Sequence, residues 1–558
     1  MNACAALMKR SGLVYMASLC TGLATAWVTF GVPVLFGTDP YWDSPHGIVG
    51  QSGADMLTGL SAYDVFVRDE WRWPLLRAEG MGGPGGINIA FADGAPLLAL
   101  IGRALFRVTG ATPVLFGYWV LACFALNALA ATALVRALGG RTVVAGLAAA
   151  VIGVSMPALL ARWGHITLMA QGLIPLTLLA YVRVGNGLRG PATFMSMLGL
   201  CLLALLTFPY LFFMVSAVAF AGLGQAGLNR RLSRPAAVLA SGGLIGCLIV
   251  ALWVLGYLTG GGFADKGFGV YSMNLLSPLV PQVSGLFPGS AGMVDATGGQ
   301  YEGFVYVGAG LLLLAFLALP ELRQRSVGRV RRHPLLAVVL LGSLALAVSN
   351  EVYAGQAHLV SLPMPEALAP LTGTVRSSGR LAWIALYLGA ALVVTTIARW
   401  RWATPVLVVA CLLQWADAAR LRSLVRESVA APFATLDRDA WRLALPQIAG
   451  VVIDPPFLCI VMDRNQDALR FAAVEIQLKA AQAGVPNNSV YAARTRPDCH
   501  VPAILPGTLF VSMKPGGFRP AMPCATGPLL VVCNDRLPLA TLALLAVTTP
   551  LPENAGGP

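Results

Sequence analysis

The sequence predicts a polytopic α-helical membrane protein with about eleven spans that ends in an α/β domain outside the cytoplasm. Three observations carry this. The 558 residues are 57% hydrophobic and only 11% charged, with a mean hydropathy of +0.72. The apolar residues come in long runs separated by short breaks rather than at amphipathic spacing, which excludes a soluble domain of ordinary composition. Much of the net charge of +13 falls on alternate breaks, which gives the runs an orientation.

The first run, Ser11 to Phe36, follows Lys9-Arg10. It is too long for a signal-peptide core and leads into no small-residue cleavage site, so it reads as a retained signal-anchor helix with a cytoplasmic N-terminus. Further spans are expected at Pro113–Val135, Thr142–Pro157, Ile166–Val182, Ala192–Thr207, Phe208–Gly227, Pro235–Leu258, Phe304–Leu319, Leu335–Ser349, Leu381–Ala398 and Trp402–Trp415. Several fall short of the ~20 residues that cross a bilayer upright, so a merge or split is expected at Thr207/Phe208 and at the last span. Every break assigned to the cytoplasm is basic: Arg136 and Arg141; Arg183 and Arg189; Arg230, Arg231 and Arg234; Arg323, Arg325, Arg329, Arg331 and Arg332; Arg399 and Arg401. The positive charge is thus a topological signal, and no nucleic-acid partner is needed to explain it.

The long loops fall on the other side. The resulting boundaries are 1–36 for the signal anchor, 37–112 for a first outer loop with interfacial helices, 113–416 for the bundle with outer loops 259–303 and 351–380, and 417–558 for the outer domain. In the first loop, "FVRDEWRWP" (Phe66 to Pro74) crowds four charges and two tryptophans together. Trp71 and Trp73 suit headgroup depth, where an indole has one wet and one apolar side. The charges of Arg68, Asp69, Glu70 and Arg72 read as a self-neutralised surface cluster. Ala95 to Val108 is too short to span and is expected as an interfacial or re-entrant helix. Asp55 stands apart, in a segment whose Met56, Leu57, Leu60 and Tyr63 recur at helical spacing, as if to lay a helix on the membrane surface. A carboxylate at that boundary needs a partner or a task.

The tail reads as a small α/β unit. "GVVID", "GTLFVSM" and "PLLVVC" are strand candidates, and "DALRFAAVEIQLKAAQAG" is a helix closed by Gly484. Six cysteines lie in or beside apolar runs, while Cys459, Cys499, Cys524 and Cys533 all fall in the tail. An even set there fits a disulfide-bonded outer domain, with three pairings open. His46, His333 and His358 are isolated, and no metal-ligand spacing of His and Cys occurs. The glycine-rich "EGMGGPGGINIAFADG" lacks the Lys-Ser/Thr ending of a phosphate loop and reads as a linker.

A signal anchor, a large acidic outer loop, a many-helix bundle and an outer C-terminal domain together resemble the GT-C superfamily of membrane glycosyltransferases. More narrowly, "WRWPL", "GGINIAFADGAPLLAL", "ARWGHITL", "GFGVYSMNLLSPLVP", "QYEGFVYVGAGLLLL" and "VRSSGRLAW" resemble segments of a bacterial membrane-protein family of unknown function and GT-C-like type. The resemblance implies a sugar donor linked to polyprenyl phosphate, a glycan or glycolipid acceptor, and an acidic residue of the first outer loop as base or as ligand of a divalent metal. By position Asp55 matches best, with Asp64 and Asp93 behind it; the tight acidic pair usual in such enzymes is not evident.

Such chemistry needs a base for the acceptor hydroxyl and cations for the departing phosphate. Arg162 and His165 in "ARWGH", with Arg376 and Arg380 in "RSSGR", are the candidates for the phosphate, because a guanidinium offers it a planar fork of donors. Tyr271, Asn274, Tyr301 and Glu302 are candidates for sugar or acceptor binding. The expected location is the bacterial inner membrane with the tail periplasmic. A transporter or flippase of a lipid-linked saccharide, and a non-catalytic envelope-assembly protein, are the alternatives; a transporter would place charges or broken helices at the midplane, often in two related halves.

Overall fold

The computed structural model describes residues 2–37, 40–43, 51–83, 85–185, 191–259, 267–287, 293–430, 434–460, 467–493, 498–500, 502–513 and 518–549. His46 lies outside the described residues. The chain forms two compact units: Met1–Phe36, Gly117–Ala251 and Ala264–Arg426 make the first, and Gly37–Phe116, Leu252–Phe263 and Glu427–Pro558 the second.

Each of the apolar runs is helical, but they do not all cross alike. Among the described residues eight helices are long and apolar enough to cross a membrane: Gly12–Phe30, Phe116–Ala137, Val143–Leu160, Ile166–Gly185, Pro209–Leu228, Arg234–Val254, Ser378–Ile397 and Ala403–Ala430. Eight of the eleven expected runs thus meet this length and apolarity, and three do not. Ala309–Arg332 and Pro334–Val348 are bent by 111° against each other and make at most one further span, and Pro191–Thr207 is apolar but short. Proline explains both boundaries. Pro334 and Pro209 each sit at the start of a helix, where a missing N–H costs nothing and the preceding residue is pushed out of helical conformation.

In the first unit, polar side chains tie helices together where apolar surface alone would not specify a register. Ser18 of the N-terminal helix meets Thr132 at 2.9 Å, and Thr132 in turn donates to Gly146 O at 2.9 Å. Buried Tyr387 donates to Gln171 Oε1 at 2.8 Å, and Asn127 Nδ2 donates to Met169 O at 3.2 Å. The amide of Gln414 and the carboxylate of Asp417 reach the start of the Ala309–Arg332 helix: Leu311 N donates to Gln414 Oε1 at 3.0 Å and Ala309 N to Asp417 Oδ2 at 2.7 Å. Two amides that the helix cannot satisfy internally are thus capped from a neighbour. A hairpin of β3 (Glu351–Ala354) and β4 (Ala357–Ser361) belongs to this unit; β1 (Arg77–Ala78) and β2 (Ile87–Asn88) belong to the second.

The second unit joins the first outer loop to the tail. Its sheet runs in the order β5-β6-β8-β7, with β5 (Gly450–Asp454) parallel to β6 (Thr508–Ser512), and β8 (Val531–Cys533) antiparallel to both β6 and β7 (Cys524–Thr526). The parallel pair needs a crossover, which the Asp467–Ala483 helix supplies. This helix ends at Gly484, whose φ of 71° is the left-handed turn glycine tolerates. It packs on the helix Gln51–Arg68 of the first loop. Backbone bonds stitch the same two segments, from Asn487 N to Gly80 O at 2.9 Å and from Ala493 N to Phe91 O at 2.7 Å. The four tail cysteines pair as Cys459–Cys499 and Cys524–Cys533.

This packing corrects the reading of the Asp55 helix. Met56, Leu57, Leu60 and Tyr63 are all buried inside the second unit, so the apolar face meets protein rather than a bilayer surface. "FVRDEWRWP" likewise has a structural explanation. Arg103, wholly buried in the helix Pro96–Thr109, lies 3.4 Å from the centre of the Phe66 ring and 4.7 Å from that of Trp71, and its Nε donates to Phe66 O at 2.8 Å. Arg107 donates to Asp69 O at 3.1 Å. Two arginines thereby cap the carbonyl end of the Gln51–Arg68 helix, where positive charge is favourable. Burial pulls the Arg103 guanidinium down to about 10. Trp71 and Trp73 are each 52% exposed, and Trp73 packs edge-on against Trp253 with ring centres 4.7 Å apart.

Candidate functional site

Three turns of the first unit build a buried charge cluster. One is the turn between Leu160 and Ile166 that carries Arg162 and His165; the second is the 3-10 helix Gln300–Gly303; the third is the 3-10 helix Ser378–Ala382. Glycine decides how closely the last two approach. A Cβ on Gly303 would lie 2.1 Å from Ser272 O, and one on Gly379 would lie 2.4 Å from the Cα of Gly303. Only bare backbone fits there, and the fit brings Glu302 beside Arg380.

The carboxylate of Glu302 is the hub. Its Oε2 accepts from Arg380 Nη2 at 2.6 Å, from Arg380 Nε at 3.1 Å and from Arg162 Nη1, while His165 Nε2 stands 3.8 Å from its Oε1. Arg162 also donates to Tyr301 O at 2.8 Å. The side chains of Glu302, Arg162 and Arg380 are only 8%, 4% and 5% exposed. Burial pushes the Glu302 carboxyl up, but the charges of Arg380, Arg162 and His165 and the Arg380 hydrogen bond prevail and hold it well below the usual carboxylate range. Two guanidiniums thus converge on one buried carboxylate, where a low dielectric strengthens each contact.

Aromatic rings frame it. The Arg380 guanidinium lies 5.0 Å from the Tyr210 ring centre, and the Tyr210 hydroxyl accepts Ser377 N at 2.8 Å. Half-buried Arg376 lies 5.9 Å from the ring of Tyr271, which meets Tyr301 edge-on with ring centres 6.4 Å apart. Sequence reasoning missed Tyr210, because nothing local distinguishes it from any aromatic that starts an apolar helix.

The expected site residues distribute unevenly. Arg162, His165 and Arg380, expected at a phosphate, do converge, but on Glu302, which the sequence placed with the acceptor group. Asn274 is fully buried and its hydrogen bonds serve the loop: Nδ2 donates to Gln300 Oε1 at 3.0 Å and Gly355 O at 2.8 Å, and Oδ1 accepts from Leu276 N at 3.1 Å and Gly355 N at 2.9 Å. Asp55, Asp64 and Asp93 belong to the second unit, where all three are half-buried. Asp93 there comes close to the helix of Asp55: a Cβ on Gly59, one turn after Asp55, would lie 2.8 Å from Asp93 O. Since residues four apart share a helix face, Asp93 packs against the side of the helix that carries Asp55. Among the described residues no three His, Cys, Asp or Glu side chains gather as metal ligands.

Asp69 is more than a surface charge. It accepts Glu70 N at 2.8 Å and Glu79 N at 2.8 Å, and pairs with Arg72 at 3.2 Å. Burial raises its carboxyl, but the Glu79 amide, Arg72 and the Glu70 amide bring it below its ordinary value.

Residues 19–419 match the family described as "Domain of unknown function (DUF6311)". The chain belongs to the DUF6311 family. No curated protein matches it. The matched DUF6311 segment contains Arg162, His165, Glu302, Arg376 and Arg380 together with the acids of the first loop, and leaves out the tail sheet.

Proposed function

We propose that this DUF6311 protein is a GT-C-type glycosyltransferase that moves a sugar from a polyprenyl-phosphate donor to a cell-envelope glycan or glycolipid at the periplasmic face of the bacterial inner membrane. The observation that carries the reading is the buried Arg162–Glu302–Arg380 cluster, in which two guanidiniums are fixed on one carboxylate. Fixed guanidiniums offer a phosphate a planar fork of donors. When the acceptor hydroxyl attacks the anomeric carbon, the bond from that carbon to the phosphate oxygen breaks, and negative charge grows on the departing polyprenyl phosphate. Arginines already held in place and shielded from water stabilise that charge without having to reorganise. In this reading Glu302 holds the two guanidiniums apart and oriented until the phosphate shares them, and Tyr271 and Tyr301 offer faces to the sugar. The hydroxyl proton goes to Asp55, a role it takes from the resemblance of the first loop.

The test is turnover by the purified protein in proteoliposomes with a polyprenyl-phosphate sugar. Asp55→Asn keeps the volume and removes the base, and should lose roughly 10²-fold or more in rate. Full activity in that variant would overturn the assignment. The transporter reading has one favourable observation, the 111° break between Ala309–Arg332 and Pro334–Val348. Yet the break lies among Arg331, Arg332 and His333, at the charged ends of the helices rather than at mid-span. Flipping of the intact lipid-linked sugar in the same liposomes, with no bond cleaved, would favour it instead.

A further inference from the structure

The break itself opens a second site, unrelated to the Glu302 cluster. Where the Ala309–Arg332 helix ends and the Pro334–Val348 helix begins, a cavity of about 430 Å³ is lined by Arg331, Arg332, His333 and Pro334 together with Gln225, Leu228 and Asn229 at the end of the Pro209–Leu228 helix. Three independent features of it ask for one kind of ligand.

The first is positive charge without a counter-ion. Arg331 and Arg332 are exposed, and among the described residues no carboxylate pairs with either. The acid on the same helix, Glu321, is engaged by Arg325 at 2.9 Å and by Trp400 Nε1 at 3.2 Å. The second is a helix start without a cap. His333 precedes the Pro334–Val348 helix and offers it no side-chain hydrogen bond, being held by the Tyr181 hydroxyl at 3.1 Å. Pro334 has no N–H, so the amides of Leu335 and Leu336 lack an intrahelical acceptor at the end where the helix dipole favours an anion.

The third feature is an acceptor without a donor. Gln225 is 5% exposed, and its Nε2 donates to Asn229 Oδ1 at 3.0 Å and Arg332 O at 3.2 Å. Its Oε1 is buried with no hydrogen-bond partner, a state that costs free energy until something donates to it. A bare anion would not satisfy that oxygen. A phosphodiester that also carries a hydroxyl would, and Leu228 and Pro334 supply apolar wall beside it.

We propose that this cavity binds the headgroup of an anionic phospholipid of the phosphatidylglycerol type, with the phosphodiester against Arg331, Arg332 and the start of the Pro334–Val348 helix and a headgroup hydroxyl donating to Gln225 Oε1. The cavity lies at the end of one span, Pro209–Leu228, and at the turn of the bent pair, where a headgroup is within reach. The charge pattern assigns this arginine-rich side to the cytoplasm.

The test uses the full-length protein, delipidated in detergent and titrated with lipids by native mass spectrometry. Phosphatidylglycerol should bind the wild type more tightly than phosphatidylmethanol, which has the same charge and no hydroxyl. Arg331→Gln with Arg332→Gln should weaken phosphatidylglycerol roughly 30-fold. Arg323→Gln with Arg401→Gln removes the same charge from residues outside the cavity and should change affinity less than threefold. Equal binding of the two lipids would remove the Gln225 contact and the proposal with it. Equal weakening by the two double variants would reduce the site to general surface charge, and the lipid comparison on unmutated protein stands whether or not a variant folds.

Discussion

Glu302→Gln removes a carboxylate that two buried guanidiniums share, while changing side-chain volume very little. The wild-type contacts are short and enclosed: Arg380 at 2.6 Å, with all three side chains under a tenth exposed. Taking away one partner of a buried ion pair typically costs about 3–5 kcal/mol, and here two guanidiniums lose the same partner. We therefore expect a loss in that range, read as a lower thermal midpoint of the purified protein. Two controls separate this from a simple packing defect. Millimolar inorganic phosphate should raise the midpoint of the variant more than that of the wild type, because it supplies the missing anion by mass action. Arg380→Gln added to Glu302→Gln should recover part of the loss, because one of the guanidiniums that lost this carboxylate is then gone. The pH dependence has a definite sign. The folded-state carboxyl is held below its ordinary range, so its stabilisation is full above the unfolded carboxylate pKa and is lost as pH falls toward the folded value. A variant as stable as the wild type, or a double variant less stable than Glu302→Gln alone, would refute the idea that Glu302 holds the cluster.

Other outcomes follow from the second unit and the topology. Asp69→Asn should cost about 1–2 kcal/mol of stability, since the carboxylate accepts two backbone amides and Arg72; an unchanged midpoint would return Asp69 to the solvated surface. Replacing Cys459 by Ala should cost roughly 4 kcal/mol and replacing Cys524 by Ala roughly 3 kcal/mol. The order reflects sequence separations of 40 and 9, and the opposite order in thermal unfolding would count against a chain-entropy origin. Ala95 has a φ of 47°, so Ala95→Gly should be neutral or stabilising by about 1 kcal/mol despite the flexibility it adds; a clear loss of stability would contradict the strain. A reporter active only outside the cytoplasm should give signal when fused after Pro558 and none after Arg325, and the reverse would invert the orientation drawn from the arginines.

Hydropathy and charge are local properties, and what depends on them was readable from the sequence: every apolar run is a helix, and the tail contains the expected strands and the helix closed by Gly484. Whether a helix crosses depends on its direction, which a run of apolar letters does not contain. The bend of 111° at His333 and the short Pro191–Thr207 helix are set by how the prolines and neighbouring helices pack. Charge pairing is less local still. Glu302 lies 140 residues from Arg162 and 78 from Arg380, so sequence could name all three as chemically apt without showing that one neutralises the others. The same holds for Arg103, in the segment that reads as an interfacial or re-entrant helix: it caps a helix end 37 residues earlier. Sequence alone therefore determined which residues are apolar enough for lipid and which carry chemistry. Tertiary structure decided which charges share a desolvated space, because that depends on close backbone approaches such as Gly303 against Gly379, where a single added Cβ would keep the partners apart.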